Sequence, residues 1–323
     1  MSKSTSLLDL GRRDGQLHGT GRRPAANLPT GIADSRALPD REFLELWDSI
    51  HVAAELKDQL LSQAVLNFAV RPRVSRAHLP LHGIILLVGA PGTGKTSLAK
   101  GLAARTAETL GTNNNFRFLE VDPHVLTSGS LGKSQKAVSG LFRSSIAEEA
   151  LLGPVVVLLD EVETIVADRS KLSLDANPID VHRATDAALV QLDHLASSAP
   201  NLLIVATSNF PRAIDEAFVS RADLVLSVPM PDATGRLEIL KSTLVGMAQT
   251  FPALAQLARS SRLVEVARAA DGLDGRSIRK VVAAACTLEK KTALDPGTLT
   301  LDQLVLAARR AVAEKTKTAE AAR

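Results

Sequence analysis

The chain has 323 residues, enough for two or three folded units, and 45% of them are hydrophobic, which is ample for a buried core. Its 38 basic residues nearly balance 35 acidic ones and only 3% of residues are aromatic, so the composition argues against a nucleic-acid surface of basic patches or stacked rings. One cysteine, Cys286, excludes an internal disulfide, and the lack of an apolar signal core or an apolar run of about 18 residues indicates a soluble, cytoplasmic protein with no membrane partner.

The first 36 residues are rich in Gly, Arg, Ser and Pro and show no periodicity. This pattern predicts a flexible basic arm over residues 1–36, with a docking tail for an acidic partner as the alternative. Folded sequence is expected to begin near Leu38, with Asp40 as the N-cap of a first helix. An amphipathic helix is predicted over residues 55–70.

The segment at residues 84–104 has the pattern of a phosphate-binding loop. An apolar run, IILLV, precedes GAPGTGKT at residues 89–96, and a helical pattern follows. Backbone N–H groups of such a loop surround phosphates, the lysine reaches the β- and γ-phosphates, and the following Thr binds Mg²⁺. A chance glycine turn is disfavoured because strand and helix both lie where the motif needs them. The residues expected to bind ATP are Gly89, Pro91, Gly92, Thr93, Gly94, Lys95, Thr96 and Ser97.

Two further strand patterns end in polar residues. VVVLL at residues 155–159 precedes Asp160 and Glu161, and LLIVAT at residues 202–207 precedes Ser208 and Asn209. Strand tips of open parallel sheets are where ligands bind. We expect Asp160, together with Thr96, to hold Mg²⁺, and Glu161 to polarise the attacking water. Asn209 either orients that water or touches the γ-phosphate; the alternative is an asparagine that only forms a turn. For Asp160 and Glu161, the alternative is a solvated pair of carboxylates that caps the strand.

The remaining periodicity predicts how the chain is divided. A strand is expected over residues 116–121, helices over 133–149 and 181–195, and a loop from about 168 to 180 between them. The parallel sheet should end near Val228, because Pro229 and Pro231 break both helix and ladder. Only helical patterns follow, with Asp274 as an N-cap and Cys286 as an inert buried thiol. The predicted units are therefore an α/β domain over 37–230 and a helical domain over 231–323.

The order of these motifs resembles that of the AAA+ ATPases: phosphate loop, Asp-Glu strand, Asn strand, then SRAD at residues 220–223. The resemblance implies an α/β P-loop NTPase, a parallel sheet flanked by helices and followed by a small all-helical lid. It also implies that Arg221 acts as a finger on the neighbouring subunit's nucleotide and that Arg276, in a lid helix, reaches the γ-phosphate in cis. The alternatives are a surface ion pair of Arg221 with Asp223 and a basic helix face around Arg276.

More specific segments are similar to the pachytene-checkpoint branch of AAA+ ATPases, over residues 38–290. They include LPDREFLELWDSI at 38–50, NPIDVHRATDAALVQLD at 177–193, FVSRAD at 218–223 and GLDGR at 272–276. The resemblance implies a homo-hexameric ring that uses ATP and Mg²⁺ to pull on HORMA-domain proteins, opening them and dissociating their complexes. A chain this short resembles the bacterial members, which serve anti-phage cyclic-oligonucleotide (CBASS) signalling.

Two features depart from that branch. Its eukaryotic members have a folded N-terminal substrate-binding domain, whereas the pattern here shows only the predicted arm. Its first pore loop usually carries an aromatic residue, where this chain has Ser130, Leu131 and Gly132. Leu131 is the candidate grip, with a buried loop residue as the alternative, and residues 168–180 would form the second pore loop.

Two other classes of function remain possible at this stage. AAA+ cores also serve as nucleic-acid motors or initiators, although the composition argues against that class here. A nucleotide-binding switch without turnover is the other class. Glu161, Asn209 and Arg221 favour hydrolysis, because a pure binder needs none of them.

Overall fold

The computed structural model describes residues 21–111, 115–122, 133–168 and 178–321. The strands are β1 (Ile32–Ala37), β2 (Ile84–Val88), β3 (Arg117–Val121), β4 (Val155–Leu159), β5 (Leu202–Ser208) and β6 (Leu224–Ser227). The helices are α1 (Arg41–Ser49), α2 (Ala54–Ala69), α3 (Lys95–Leu110), α4 (Lys133–Gly140), α5 (Ala147–Leu152), α6 (Pro178–Ser198), α7 (Glu216–Val219), α8 (Ala233–Ala248), α9 (Leu254–Arg259), α10 (Leu263–Ala269), α11 (Gly275–Cys286), α12 (Lys290–Leu294) and α13 (Leu301–Ala321).

The described strands form one sheet in the order β1-β3-β4-β5-β2-β6. All neighbours are parallel except β1, which runs antiparallel to β3. Near-continuous apolar runs suit strands covered on both faces, and two cores lie there: α1, α2 and α3 pack on one face, and α4 to α6 on the other. The α/β fold predicted from the sequence is confirmed.

The register of the central strands positions the site. Val88 of β2 is opposite Ser208 of β5, and Leu159 of β4 is opposite Ala206 of the same strand. The carboxyl ends of β2, β4 and β5 therefore lie side by side. The residues that follow these strands meet at one edge of the sheet, as the sequence predicts.

The strand β1 corrects the predicted arm. All of β1 except Ala37 lies within the range expected to be flexible, yet the strand pairs with β3 from Ile32 opposite Val121 to Ala37 opposite Arg117. The pattern hides this strand because Asp34, Ser35 and Arg36 are buried polar residues. Asp34 accepts from Arg36 Nε at 2.9 Å, and this ion pair replaces the apolar side chains that a buried strand normally shows. Residues 1–20 lie outside the described residues.

Several helix predictions are confirmed, with shifted ends. Asp40 caps α1 by accepting from the Phe43 N–H, and α2 matches the helix expected over 55–70. The helix expected over 133–149 continues to Leu152 through a π-helical turn, Leu141–Ile146. The loop expected up to residue 180 ends earlier, because α6 begins at Pro178, and proline is well suited to a first helical turn.

A third core lies within residues 239–308 and is built mainly from helices α8 to α11 and α13; we call helices α8 to α13 the lid. Asp274 caps α11 by accepting from the Ser277 N–H at 2.9 Å, as predicted. Cys286 is buried on the same helix, and burial raises the pKa of its thiol. The chain division at residue 230 stays a prediction. None of the helices in the described ranges is long and apolar enough to cross a membrane.

Candidate nucleotide-binding site

The loop between β2 and α3 depends on glycines in left-handed conformation. Gly92 has φ of 79° and Gly94 has φ of 96°, a region that other residues adopt only with strain. Space is equally restricted. A Cβ at Gly92 would lie 2.2 Å from Asp274 Oδ1 of the lid, and one at Gly94 would lie 2.7 Å from Ile50 Cδ1. The glycines therefore allow the loop to contact both the lid and the connection between α1 and α2.

Lys95 is held under this loop, only 5% exposed. Its Nζ donates to the carbonyls of Gly89 and Ala90, both at 2.9 Å, and to Asn209 Oδ1 at 2.8 Å. Burial lowers the pKa of Lys95, and the carboxylate of Asp160 is the largest influence opposing that shift. The ammonium is thus fixed at the loop by three oxygen acceptors.

Asp160 receives two hydroxyl groups on one oxygen. Thr96 Oγ1 donates to Asp160 Oδ1 at 2.9 Å, and Thr207 Oγ1 donates to the same oxygen. Carboxylate and hydroxyl oxygens are the ligands that Mg²⁺ prefers, so the donor set at Thr96 and Asp160 fits this cation. Thr207 was missed in the sequence, where a threonine at a strand end is typical of ordinary β structure.

Glu161 and Asn209 are brought together across two strands. Asn209 Nδ2 donates to Glu161 Oε1 at 3.2 Å, while the Asn209 backbone N–H donates to Glu163 Oε1 at 3.2 Å. Glu161 has φ of 51°, an uncommon conformation for a residue other than glycine and one that clusters at functional sites. Since Asn209 also accepts from Lys95, one amide links the ammonium to the carboxylate.

A cavity of about 500 Å³ opens above these groups, within the range of small-molecule sites. Basic side chains of α11 contribute to its lining, and Ile50 contributes an apolar edge. Arg279 Nη2 donates to the Ser49 carbonyl at 2.7 Å, and burial lowers the pKa of Arg279. The lining residues are Ile50, Pro91, Gly92, Gly94, Lys95, Thr96, Ser97, Asp160, Glu161, Thr207, Asn209, Arg276, Arg279, Lys280 and Ala283.

Most of the predicted residues therefore meet at one cavity, including Arg276. Gly89 and Thr93 support the loop from behind, since Gly89 O accepts from Lys95 and Thr93 Oγ1 donates to Ala90 O at 2.9 Å. Ile50, Arg279 and Lys280 were not assigned from the sequence. Ser130, Leu131 and Gly132 lie outside the described residues, as does most of the predicted second pore loop.

Arg221 lies away from this cavity. Its Nε and Nη2 donate to the two oxygens of Asp193, both at 2.8 Å, and its Nη1 donates to Ala217 O at 2.6 Å. The bond to Asp193 raises the pKa of Arg221 and lowers that of Asp193. Asp223 instead accepts from the backbone N–H groups of residues 82–84. The alternative pairing of Arg221 with Asp223 is therefore wrong.

A glycine loop after a parallel strand, an Asp-Glu tip on a nearby strand and a helical lid against the cavity define a nucleotide-binding protein of the AAA+ class. Residues 85–230 match the model of the ATPase family associated with various cellular activities (AAA). The chain is 56% identical to CD-NTase-associated protein 6 of Pseudomonas aeruginosa, over 88% of this chain and 94% of that one. It is 35% identical to the pachytene checkpoint protein 2 homolog of Arabidopsis thaliana, over 76% and 59%. The chain belongs to the pachytene-checkpoint family of AAA+ ATPases.

Solved structures agree on the fold. The structure of C. elegans PCH-2 matches with a TM-score of 0.70 and 29% identity, covering 90% of this chain and 77% of that one. A chain in the structure of the E. coli MS115-1 HORMA:CdnC:Trip13 complex matches with a TM-score of 0.64 and 19% identity, covering 86% and 94%. The chain thus spans nearly all of the Pseudomonas relative but about three fifths of the Arabidopsis one.

Proposed function

We propose that this protein hydrolyses ATP as a homo-hexamer and uses the energy to remodel a HORMA-domain protein. The observation that carries the hydrolytic part is the position of Asn209, which accepts from Lys95 and donates to Glu161. Phosphoryl transfer to water requires charge stabilisation at the phosphates and an oriented nucleophile. Asn209 connects Lys95, which would stabilise the phosphate charge, to Glu161, which would activate the water.

The loop and its lysine would bind the triphosphate. Lys95 would exchange its carbonyl partners for β- and γ-phosphate oxygens, which carry more negative charge than a peptide carbonyl. Thr96, and Asp160 through water, would hold Mg²⁺, which neutralises phosphate charge when bound. Arg276 lines the same cavity and would contact the γ-phosphate in cis.

Glu161 would polarise the attacking water, and Asn209 would orient it. Arg221 would complete the site of the next subunit in the ring. Its position outside its own cavity supports an action in trans, because its guanidinium is bound to Asp193 rather than to groups at its own loop. An arginine finger contributes roughly 10³–10⁵ to the rate of related hydrolases.

The substrate proposal is based on the relatives. The chain is 56% identical to a protein named for its association with a CD-NTase, and it shares its fold with a chain of a complex that contains HORMA and CdnC. We therefore assign it to a cytoplasmic anti-phage (CBASS) system in which it opens a HORMA protein and releases its bound partner. How it would grip that protein depends on residues 130–132, which the structure does not describe.

The test measures ATP hydrolysis by the purified protein with and without a purified HORMA-domain protein. Glu161→Gln should keep ATP binding but lower the rate at least about 100-fold, as expected for loss of a general base. It should also trap a stable complex with the HORMA protein. Glu148→Gln, the same change at an exposed position of α5, is the matched control.

Each part can fail separately. Undiminished hydrolysis by Glu161→Gln would remove the assigned role of Glu161. A robust basal rate that ignores the HORMA protein but rises with DNA would replace the remodeller by a nucleic-acid motor.

A further inference from the structure

The strongest contact at Arg221 is with Asp193 near the C-terminal end of α6. Both carboxylate oxygens accept, at 2.8 Å each, from Nε and Nη2. This is the bidentate geometry in which an arginine and a carboxylate bind most strongly. The two residues are 28 positions apart in sequence, so the pair also ties α6 to the segment before β6.

A third bond fixes the remaining side of the guanidinium. Nη1 donates to the carbonyl of Ala217, one turn earlier in the chain. A guanidinium has five N–H groups in one plane. The side edge, Nε with Nη2, is taken by Asp193, and one N–H of Nη1 is taken by Ala217.

Within the described ranges, these three bonds leave one N–H on each terminal nitrogen. These two groups form the end edge of the guanidinium, which matches two oxygens of one phosphate. The side chain of Arg221 is 22% exposed, so the planar group is held firmly without being enclosed. Asp193 therefore orients the arginine and leaves its phosphate-binding edge available.

We propose that Asp193 is a positioning residue for the finger Arg221, holding the end edge of its guanidinium toward the nucleotide of the neighbouring subunit. The inference rests on the proposed action of Arg221 in trans. It deepens that proposal by adding a carboxylate that acts on hydrolysis through Arg221, although its Oδ1 also lies 3.6 Å from His82 Nε2. Its effect therefore belongs to the subunit that donates the finger, not to the one that holds the nucleotide.

That asymmetry gives the test. Subunits with Arg221→Ala keep an intact cavity but lack a finger, and subunits with Glu161→Gln keep the finger but lack the base. Neither is active alone, so hydrolysis in a mixture arises where a Glu161→Gln subunit donates Arg221 to an Arg221→Ala subunit. Asp193→Asn, which keeps the size but loses the charge and one acceptor, is then added to one partner at a time.

We expect Asp193→Asn in the donating subunit to lower kcat of the mixture about tenfold, with KM for ATP within about twofold, because one charge-assisted bidentate contact is lost. The same substitution in the receiving subunit should leave the rate unchanged. Asp302→Asn in the donor is the matched control, since Asp302 also accepts from an arginine, Arg262 Nη2 at 3.1 Å, but on the lid surface.

If Asp193→Asn lowered kcat equally in the donating and the receiving subunit, general structural damage would be indicated and the proposal overturned. An unchanged kcat with Asp193→Asn in the donating subunit would also overturn it. If Arg221→Ala and Glu161→Gln subunits without Asp193→Asn fail to complement, the action of Arg221 in trans is refuted, and with it this role of Asp193. That last outcome is independent of any change at Asp193. It therefore separates failure of the proposed finger from failure of its positioning.

Discussion

Replacing Gly92 with alanine should be costly for two reasons that can be separated. The residue has φ of 79°, and the left-handed region costs an L-residue about 1–2 kcal/mol. The new Cβ would also lie 2.2 Å from Asp274 Oδ1, so the carboxylate must move away from Ser277. Loss of such a helix cap costs about 1 kcal/mol, which gives a total of about 2–3 kcal/mol.

The cost of Gly92→Ala appears in one of two measurements. If the loop keeps its conformation, the free energy of unfolding falls and thermal denaturation begins earlier. If the loop relaxes, the cost passes to nucleotide binding, at tenfold in Kd for about every 1.4 kcal/mol. Calorimetry and titration with a fluorescent ATP analogue measure the two.

Two further variants identify the cause. Asp274→Ala should cost about 1 kcal/mol alone but add little to Gly92→Ala, because the cap is already lost there. Gly246→Ala is the control on an exposed position of α8 with nothing within 4 Å of the added Cβ, and it should stabilise by about 1 kcal/mol. Unchanged stability together with unchanged nucleotide affinity in Gly92→Ala would refute the reasoning.

Two other predictions concern titratable groups. Burial opposes ionisation of Asp34, but hydrogen bonds from Arg36 and Arg22 outweigh it and hold the pKa of Asp34 below its usual 3.8. The ionised carboxylate therefore stabilises the fold above pH 3.8, and this contribution is lost as the pH falls below that value. Asp34→Asn should therefore lower the free energy of unfolding, measured with urea, by about 3 kcal/mol at pH 7. Between pH 7 and pH 3 the free energy of unfolding should also decrease less steeply in the variant than in the parent protein, and an equal dependence on pH in both proteins would contradict this. Burial raises the pKa of Cys286, so a thiol reagent at pH 7 should label it far more slowly in the folded protein than in urea, and equal rates would show that the thiol is exposed.

The parts of the site that are contiguous in sequence could be predicted. The phosphate loop and the Asp160-Glu161 pair each follow an apolar strand, and parallel strands bring their ends together whatever the loops between them do. Contacts between distant side chains could not be predicted. Asp193 lies 28 residues from Arg221, and Thr207 lies 47 from Asp160, so neither pairing leaves a local pattern.

The strand β1 was missed for a different reason. Period-2 patterns detect strands by their apolar side chains, but Asp34 and Arg36 are buried as an ion pair and appear polar to such a pattern. The predicted arm was consequently too long. The ion pair that compensates for burying the two charges can be recognised only when the structure shows that Asp34 and Arg36 are in contact.

The short connection after α1 is held from several sides. Arg279 of α11 bonds the Ser49 carbonyl, His51 Nε2 lies 3.2 Å from Ser242 Oγ of α8, and Ile50 packs against Gly94. Further back on α1, Trp47 lies so close to α3 that a Cβ at Gly101 would be 2.7 Å from its Cβ. Through these contacts, the connection after α1 couples the lid to the phosphate loop. A displacement of the lid would therefore be transmitted to the phosphate loop, through Ile50 at Gly94 and through Trp47 at α3.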